Sequence, residues 1–171
     1  MTEPLATHTA PVSLRLATPA DAGFLALLYQ SVRAPQLQEI GWGAPQIEAF
    51  CAMQLRLRNA GHAQYTPRPA MSVISHRGVP VGRIDVVHNK PVWLLVNIEL
   101  LPGSRGQGIG GSVIRGLQRR AAAAGAGVAL HVDRGNPAQR LYERCGFAPV
   151  AVSADNLQQY MRWSGDALIE D

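Results

Sequence analysis

The sequence predicts an α/β domain, and three observations carry that expectation. Three apolar, strand-like runs follow one another, Met71 to Ser75, Val79 to Val87 and Val92 to Leu101. Only the short polar turns His76-Arg77-Gly78 and His88-Asn89-Lys90 separate them, which favours antiparallel hairpins. A glycine-rich run from Arg105 to Gly111 then joins the last strand to an amphipathic stretch, Ser112 to Ala124, with helical periodicity at Val113, Ile114 and Leu117. Finally, a polar residue followed by proline occurs twice where a helix should start, at Thr18-Pro19 and at Asn136-Pro137. Read along the chain, the elements run β-α-α-β-β-β-α-β-α-β-β.

Each element has a local reason. Leu14, Leu16 and their neighbours form a first strand. Thr18-Pro19-Ala20-Asp21 supplies an N-cap, a first-turn proline and an acid three residues after the cap. The helix it opens carries Phe24, Leu25, Leu27 and Leu28 and is expected to run out before Pro35. Gly41-Trp42-Gly43-Ala44-Pro45 is a loop that starts a second helix with Ile47, Phe50, Cys51 and Leu55 on its inner face. Gly61, Pro67 and Pro69 close that region. Gly125 ends the third helix, Val128 to Asp133 is a buried strand, and a short helix follows Asn136-Pro137. Val150 to Val152 and Leu157 to Trp163 are the closing strands. A single domain is expected over 1–171, with its core at about 12–164 and mobile ends at Met1 to Ala10 and Ser164 to Asp171.

Composition narrows the class. At 171 residues, 47% hydrophobic and 16% charged, the chain is globular and large enough for a core. No apolar run is long enough to span a bilayer, and the start lacks a signal-peptide pattern, so no membrane partner and a cytoplasmic location are expected. Cys51 and Cys145 have no metal-type spacing and imply no disulfide framework, and the five histidines show no paired ligand spacing, so no metal is expected. The net charge of +4 raises nucleic acid as a partner, but the arginines are scattered and aromatics make up only 6%. No nucleic acid is expected.

The run Arg105-Gly106-Gln107-Gly108-Ile109-Gly110-Gly111 carries the most information. Glycines between a strand and a helix leave backbone N–H groups uncovered, and the helix start adds its dipole, which suits a pyrophosphate. Gly106-x-Gly108-x-x-Gly111 has the letters of a dinucleotide-binding fingerprint, with Asp133 roughly 20 residues on. Three features argue against that reading. Pro102 to Arg105 intervene after the strand, too few elements follow for further βαβ units, and the upstream strands are joined by tight turns.

The same run also reads Arg105-x-x-Gly108-x-Gly110, and downstream lies Asn136-Pro137-Ala138-Gln139-Arg140-Leu141-Tyr142-Glu143-Arg144-Cys145-Gly146-Phe147. Together they resemble the pyrophosphate loop and the Asn-x-x-Ala-x-x-x-Tyr-x-x-x-Gly-Phe segment of the GNAT superfamily of acetyl-CoA-dependent N-acetyltransferases. The resemblance spans roughly Leu14 to Trp163 and is specific between Ile98 and Phe147. It implies the GNAT acyl-CoA N-acyltransferase fold, a mixed central sheet of about seven strands flanked by about four helices, with the fourth and fifth strands splayed. It implies acetyl-CoA as co-substrate, with Ile98, Glu99 and Leu100 along the pantetheine and thioester. Arg105, Gly106, Gln107, Gly108, Ile109 and Gly110 would hold the pyrophosphate, and Asn136 the cofactor arm beside its role as an N-cap. Trp42 would lie over the acceptor pocket; as a plain residue it is a loop aromatic packed on the core. The acceptor would be a small-molecule amine or a protein or peptide amine, and homodimers are frequent among similar proteins.

The chemistry defines what else is needed. An alkylamine with a pKa of about 10 is nearly all ammonium at neutral pH and must lose a proton before it attacks. The departing thiolate benefits from a donor, and the carbonyl oxygen needs one while it carries charge. Tyr142 stands at the position of the family's usual acid, although the spacing Ala138, Leu141, Tyr142, Cys145 also fits plain core. Glu99 is the first candidate base, on the strand face shared with Asn97 and opposite Val96, Ile98 and Leu100. His131 on the fifth strand is the second. An exposed strand carboxylate near a sheet end and a satisfied core or edge histidine are the corresponding non-catalytic readings. Nothing places a cysteine or serine beside a base, so direct attack in a ternary complex is expected. The same fold without catalysis would be an acyl-CoA-binding or sensing module.

Overall fold

The computed structural model describes residues 12–62 and 68–165. The ends expected to be mobile, 1–10 and most of 164–171, lie outside the described residues, as does Pro67. Seven strands form one sheet in the order β1-β2-β3-β4-β5-β7-β6. They are β1 (Val12–Leu16), β2 (Ala70–His76), β3 (Val79–Val87), β4 (Val92–Leu100), β5 (Gly127–Asp133), β6 (Ala148–Val152) and β7 (Gln158–Trp163). All neighbours pair antiparallel except β4 and β5, which are parallel. The four helices are α1 (Ala22–Glu39), α2 (Ala44–His62), α3 (Ile109–Ala123) and α4 (Ala138–Arg144). None is long and apolar enough to cross a membrane.

Helix α1 corrects one expectation. It does not run out before Pro35 but passes through it to Glu39. Proline removes one helical N–H and crowds the preceding turn. Here Ala34 and Leu37, on either side of Pro35, pack with Trp42, Phe50 and Leu55 against buried Tyr29, Ile47 and Cys51. Burial of the α1–α2 seam outweighs the local break. At the start of α1, the Thr18 N–H donates to the Asp21 carboxylate at 2.8 Å, and Arg15 clamps the same carboxylate at 2.6 Å.

The main core lies between the sheet and α3. Trp93, Leu95, Val128, Leu130 and Val132 from β4 and β5 meet Ile109, Val113, Ile114 and Leu117 of α3, with Ile98 and Leu100 packed against them. Leu95 and Ile98 share that face although they lie three positions apart, an odd spacing that strict alternation would put on opposite faces. The reason is a bulge: Leu95 pairs with Val86 and Asn97 with Asp85, leaving Val96 as an extra residue in β4. The bulge coincides with the point where β4 and β5 part. Their pairing runs from Val92–Gly127 to Leu95–Leu130 and stops. Beyond it, 96–100 and 131–133 flank an opening in the sheet, the splay that the resemblance implied.

Candidate active site

On one face of the opening, the chain leaves β4 through a single 3-10 turn, Pro102–Ser104, and enters the glycine run. Gly106 and Gly108 take φ values of 72° and 77°, a conformation that side-chain-bearing residues adopt only at a cost. Gly108 caps α3, which therefore starts at Ile109, three residues earlier than the sequence pattern indicated. Among the described residues, the backbone N–H groups from Gly106 to Gly111 donate to no protein acceptor. Six amides without a protein acceptor among the described residues and the positive end of a 15-residue helix thus lie in one short stretch of chain. The Arg105 side chain folds back to donate from Nε to the Leu100 carbonyl at 3.2 Å, tying the loop to the end of β4.

Helix α4 stands beside that loop. A Cβ added at Gly110 would come within 3.2 Å of Leu141, so the two helices meet closely at the glycine. The Gln118 amide donates to the Cys145 carbonyl at 2.7 Å in the interior and fixes the far end of α4. Tyr142 between these anchors is 8% exposed, its ring edge-on to Phe147 at 6.0 Å. Its hydroxyl makes no hydrogen bond among the described residues, and it is not one of the enclosed polar atoms left without a partner. Burial, with the nearby Cys145 adding to it, pushes the phenol up to about 12, so it stays protonated. Asn136 Oδ1 accepts the Ala138 N–H at 2.9 Å; Pro137, directly before α4, already has helical angles (φ −56°, ψ −23°), so Asn136 sits where a capping side chain would. It also lines an open cleft of about 400 Å³ with Gly135, Pro137, Gln139, Arg140 and Glu143.

The other face of the opening has a different construction. Here α1 lies across β3 and β4. Register places Arg83 opposite Glu99 and Asp85 opposite Asn97, all pointing away from the α3 core. Arg83 and Asp85 are 1% and 0% exposed and pair at 2.6 Å. Glu99 is held by Arg33 of α1 at 3.2 Å and by Arg58 of α2 at 3.1 Å. Arg33 lies over the Tyr29 ring, 3.5 Å from its centroid. Burial alone would raise the Glu99 pKa. Attraction to Arg58 and Arg33, with the Arg58 hydrogen bond and the Arg83 charge added, outweighs it and leaves the carboxyl below its ordinary range. Asn97 Nδ2 is enclosed and has no hydrogen-bond partner among the described residues.

His131 is exposed on this same face, one residue beyond the last β4–β5 pair, with its ring 5.0 Å from that of Tyr160. Trp42 packs edge-on to Phe50 at 5.2 Å in the α1–α2 seam. Burial raises the Cys51 thiol, against a smaller lowering by Arg33, and the residue is only 3% exposed. The sequence reading missed Tyr29, Arg33, Arg58, Arg83 and Asp85. Only Arg83 and Asp85 gave a signal, two charges at i and i+2 inside an apolar strand.

A mixed sheet that opens between two parallel strands, with an amide-lined loop at one end of the opening, is the architecture of acyl-CoA N-acyltransferases. The sequence profile described as the acetyltransferase (GNAT) family matches residues 35–147, roughly two-thirds of the chain, and the chain belongs to that family. Solved structures agree on the fold. The PaiA N-acetyltransferase from Thermoplasma acidophilum, in complex with coenzyme A, superposes with a TM-score of 0.67 at 15% identity, covering 90% of this chain and 99% of that one. An acetyltransferase from Thermus thermophilus gives a TM-score of 0.64 at 22% identity, over 92% of this chain and 99% of that one. The spermidine N-acetyltransferase from Vibrio cholerae, in complex with CoA and spermine, gives 0.61 at 19% identity, over 88% of this chain and 92% of that one. No curated protein sequence matches the chain.

Proposed function

We propose that the protein transfers the acetyl group of acetyl-CoA to a primary amine by direct attack within a ternary complex. The observation that carries this reading is the end of β4–β5 pairing at Leu95–Leu130, which leaves two strand edges free beside the six amides of 106–111. The loop suits a pyrophosphate and the open edges suit the amides of pantetheine, which would pair along Ile98, Glu99 and Leu100. The CoA-bound neighbours of the same fold support that placement.

In the step itself, the amine nitrogen forms a bond to the acetyl carbon, and the carbon–sulfur bond breaks with its electron pair going to sulfur. An unpaired N–H of the open β4 edge stabilises the carbonyl oxygen. Tyr142 serves the sulfur as a hydrogen-bond donor. Full proton transfer from a phenol near 12 to a thiolate whose thiol lies near 8.5 would be uphill by about 5 kcal/mol, so the thiol's proton comes finally from solvent. The ammonium proton leaves toward the opposite face. Glu99, ionised beside two guanidiniums, is weakened as a base, and His131 at the apex of the opening is the better placed acceptor, directly or through water. Trp42 contributes by packing the seam that carries Tyr29 and so shapes the acceptor side. The whole chain works as one acetyltransferase domain.

Thermal unfolding in excess acetyl-CoA, CoA and NAD tests the cofactor. A ligand at a hundred times its dissociation constant stabilises by about 2.7 kcal/mol. Stabilisation by both CoA forms and none by NAD, followed by release of free thiol with an amine present, is the expected result. Stabilisation without turnover of any amine would favour the binding module, and stabilisation by NAD alone would end the acetyltransferase reading.

A further inference from the structure

Among the described residues, the ion pairs on the acceptor-side face of the opening join three arginines to two carboxylates. Arg83 is matched by Asp85, but Arg33 and Arg58 share the single carboxylate of Glu99. Each guanidinium has five N–H donors. Among the described residues, Arg58 uses only Nη1, on Glu99 Oε1 and Oε2, while Arg33 uses Nη2 on Glu99 and Nη1 on the Tyr29 carbonyl. The side chains are 29% and 18% exposed for Arg33 and Arg58, so their charge is partly sheltered from water and salt. Contact with the Tyr29 ring, 3.5 Å from its centroid, helps to hold the Arg33 guanidinium in place. On the same sheet face, Asn97 Nδ2 is an enclosed donor with no acceptor among the described residues, a further unmet polar group beside the two arginines.

We propose that the acceptor is a small primary amine carrying a carboxylate, and that Arg33 and Arg58 bind that carboxylate while the amine reaches the thioester. The inference rests on the acetyltransferase reading and names its substrate class. A carboxylate fits the fork of a guanidinium and restores charge balance on this face. A polyamine, with further positive charge and no anion, meets two arginines held in place by Glu99. The spermine-bound neighbour is thus a relative in fold with a different acceptor.

Thiol release from acetyl-CoA, measured with amino acids, with the carboxamides of the same amino acids and with spermidine, decides the matter. At least one amino acid should exceed its own carboxamide in kcat/KM by about tenfold or more. Arg58→Met and Arg33→Met should raise KM for that amino acid about ten- to hundred-fold and erase its advantage over the amide. KM for acetyl-CoA and the stabilisation it gives should stay unchanged, which also shows that the variants are folded. Arg58→Lys, which keeps the charge but not the fork, should recover part of the loss. Equal turnover of acid and amide overturns the proposal, as does spermidine as the best acceptor or an equal loss for acid and amide in the variants. No turnover of any amine, with acetyl-CoA still stabilising the protein, would remove the acetyltransferase reading and this inference with it.

Discussion

The two faces of the β4–β5 opening are built by different means. On the α3 side, the surface on offer is main chain: amides from one unbroken stretch of backbone that holds two left-handed glycines and a helix start. On the α1 side it is side chains, Tyr29, Arg33, Arg58, Arg83, Asp85, Asn97 and Glu99, from two helices and two strands. A backbone site is as rigid as the turn that forms it and recognises what all acyl-CoA molecules share. A side-chain site can be rebuilt one substitution at a time without disturbing the sheet. On the proposed function, the constant substrate and the variable one fall on different kinds of surface.

The sharpest way to separate the faces is to damage the backbone site alone. Gly108 sits at φ 77°, where a β-branched side chain is strained, and nothing crowds its Cβ position. Gly108→Val should therefore fold with a stability loss of about 1–3 kcal/mol while re-aiming the amides. Stabilisation by acetyl-CoA should disappear, and kcat/KM for acetyl-CoA should fall at least about a hundredfold, as expected when several charge-assisted hydrogen bonds are lost together. Calorimetry showing wild-type acetyl-CoA affinity in this variant would break the distinction between the faces.

Tyr142 tests whether the α3 face also contributes chemistry. Its ring is packed and its hydroxyl has no protein partner among the described residues, so Tyr142→Phe should leave the melting temperature nearly unchanged. A lost hydrogen bond to a developing thiolate should lower kcat about ten- to hundred-fold, with KM for acetyl-CoA unaltered. An unchanged kcat in steady-state assays would reduce Tyr142 to core.

These differences in construction also explain how much of the protein was legible. The glycine run and the segment from Asn136 to Phe147 are contiguous, so the sequence pattern located the loop and the short helix, while the roles given to the loop and to Tyr142 came from the family resemblance. The hairpins β2–β3–β4 were legible for the same reason, with bounds shifted by a residue at most. Arg58 and Arg33 stand 41 and 66 positions from Glu99, and no local pattern links them. The run of α1 through Pro35 was hidden because its cause is the seam with α2, a tertiary effect. The bulge at Val96 was likewise invisible, since a bulge is a property of two paired strands. Even so, Asn97 and Glu99 were placed correctly on a common face, because alternation holds beyond the bulge.

On the side-chain face, the load falls on Glu99. Glu99→Gln leaves two guanidiniums beside each other and should cost about 2 kcal/mol, less than the ~3–5 kcal/mol for a fully buried pair because both arginines retain some water contact. The sign of the pH effect follows from the lowered pKa in the fold. The ion pairs stabilise fully above the unfolded value of about 4.3 and lose that contribution as pH falls through the folded value. Wild type and Glu99→Gln should therefore differ most above about pH 5 and converge on acidification. A gap that widened toward low pH in denaturant titrations would contradict the two-arginine clamp. Acetyl-CoA affinity should be unaffected, which keeps this change on its own face.

The smallest effect concerns Asn136, where one side chain belongs to the α3 face. As a cap, its Oδ1 holds the Ala138 N–H at 2.9 Å, and Asn136→Ala should cost about 1 kcal/mol. Asn136→Ser keeps a capping oxygen and should recover most of that stability. If Asn136 also holds the cofactor arm, the shorter serine cannot reach it. KM for acetyl-CoA should then rise about three- to tenfold in both variants, the value of one neutral hydrogen bond. Recovery of KM together with stability in the serine variant would confine Asn136 to capping and leave the α3 face to recognise its ligand through backbone and Tyr142 alone.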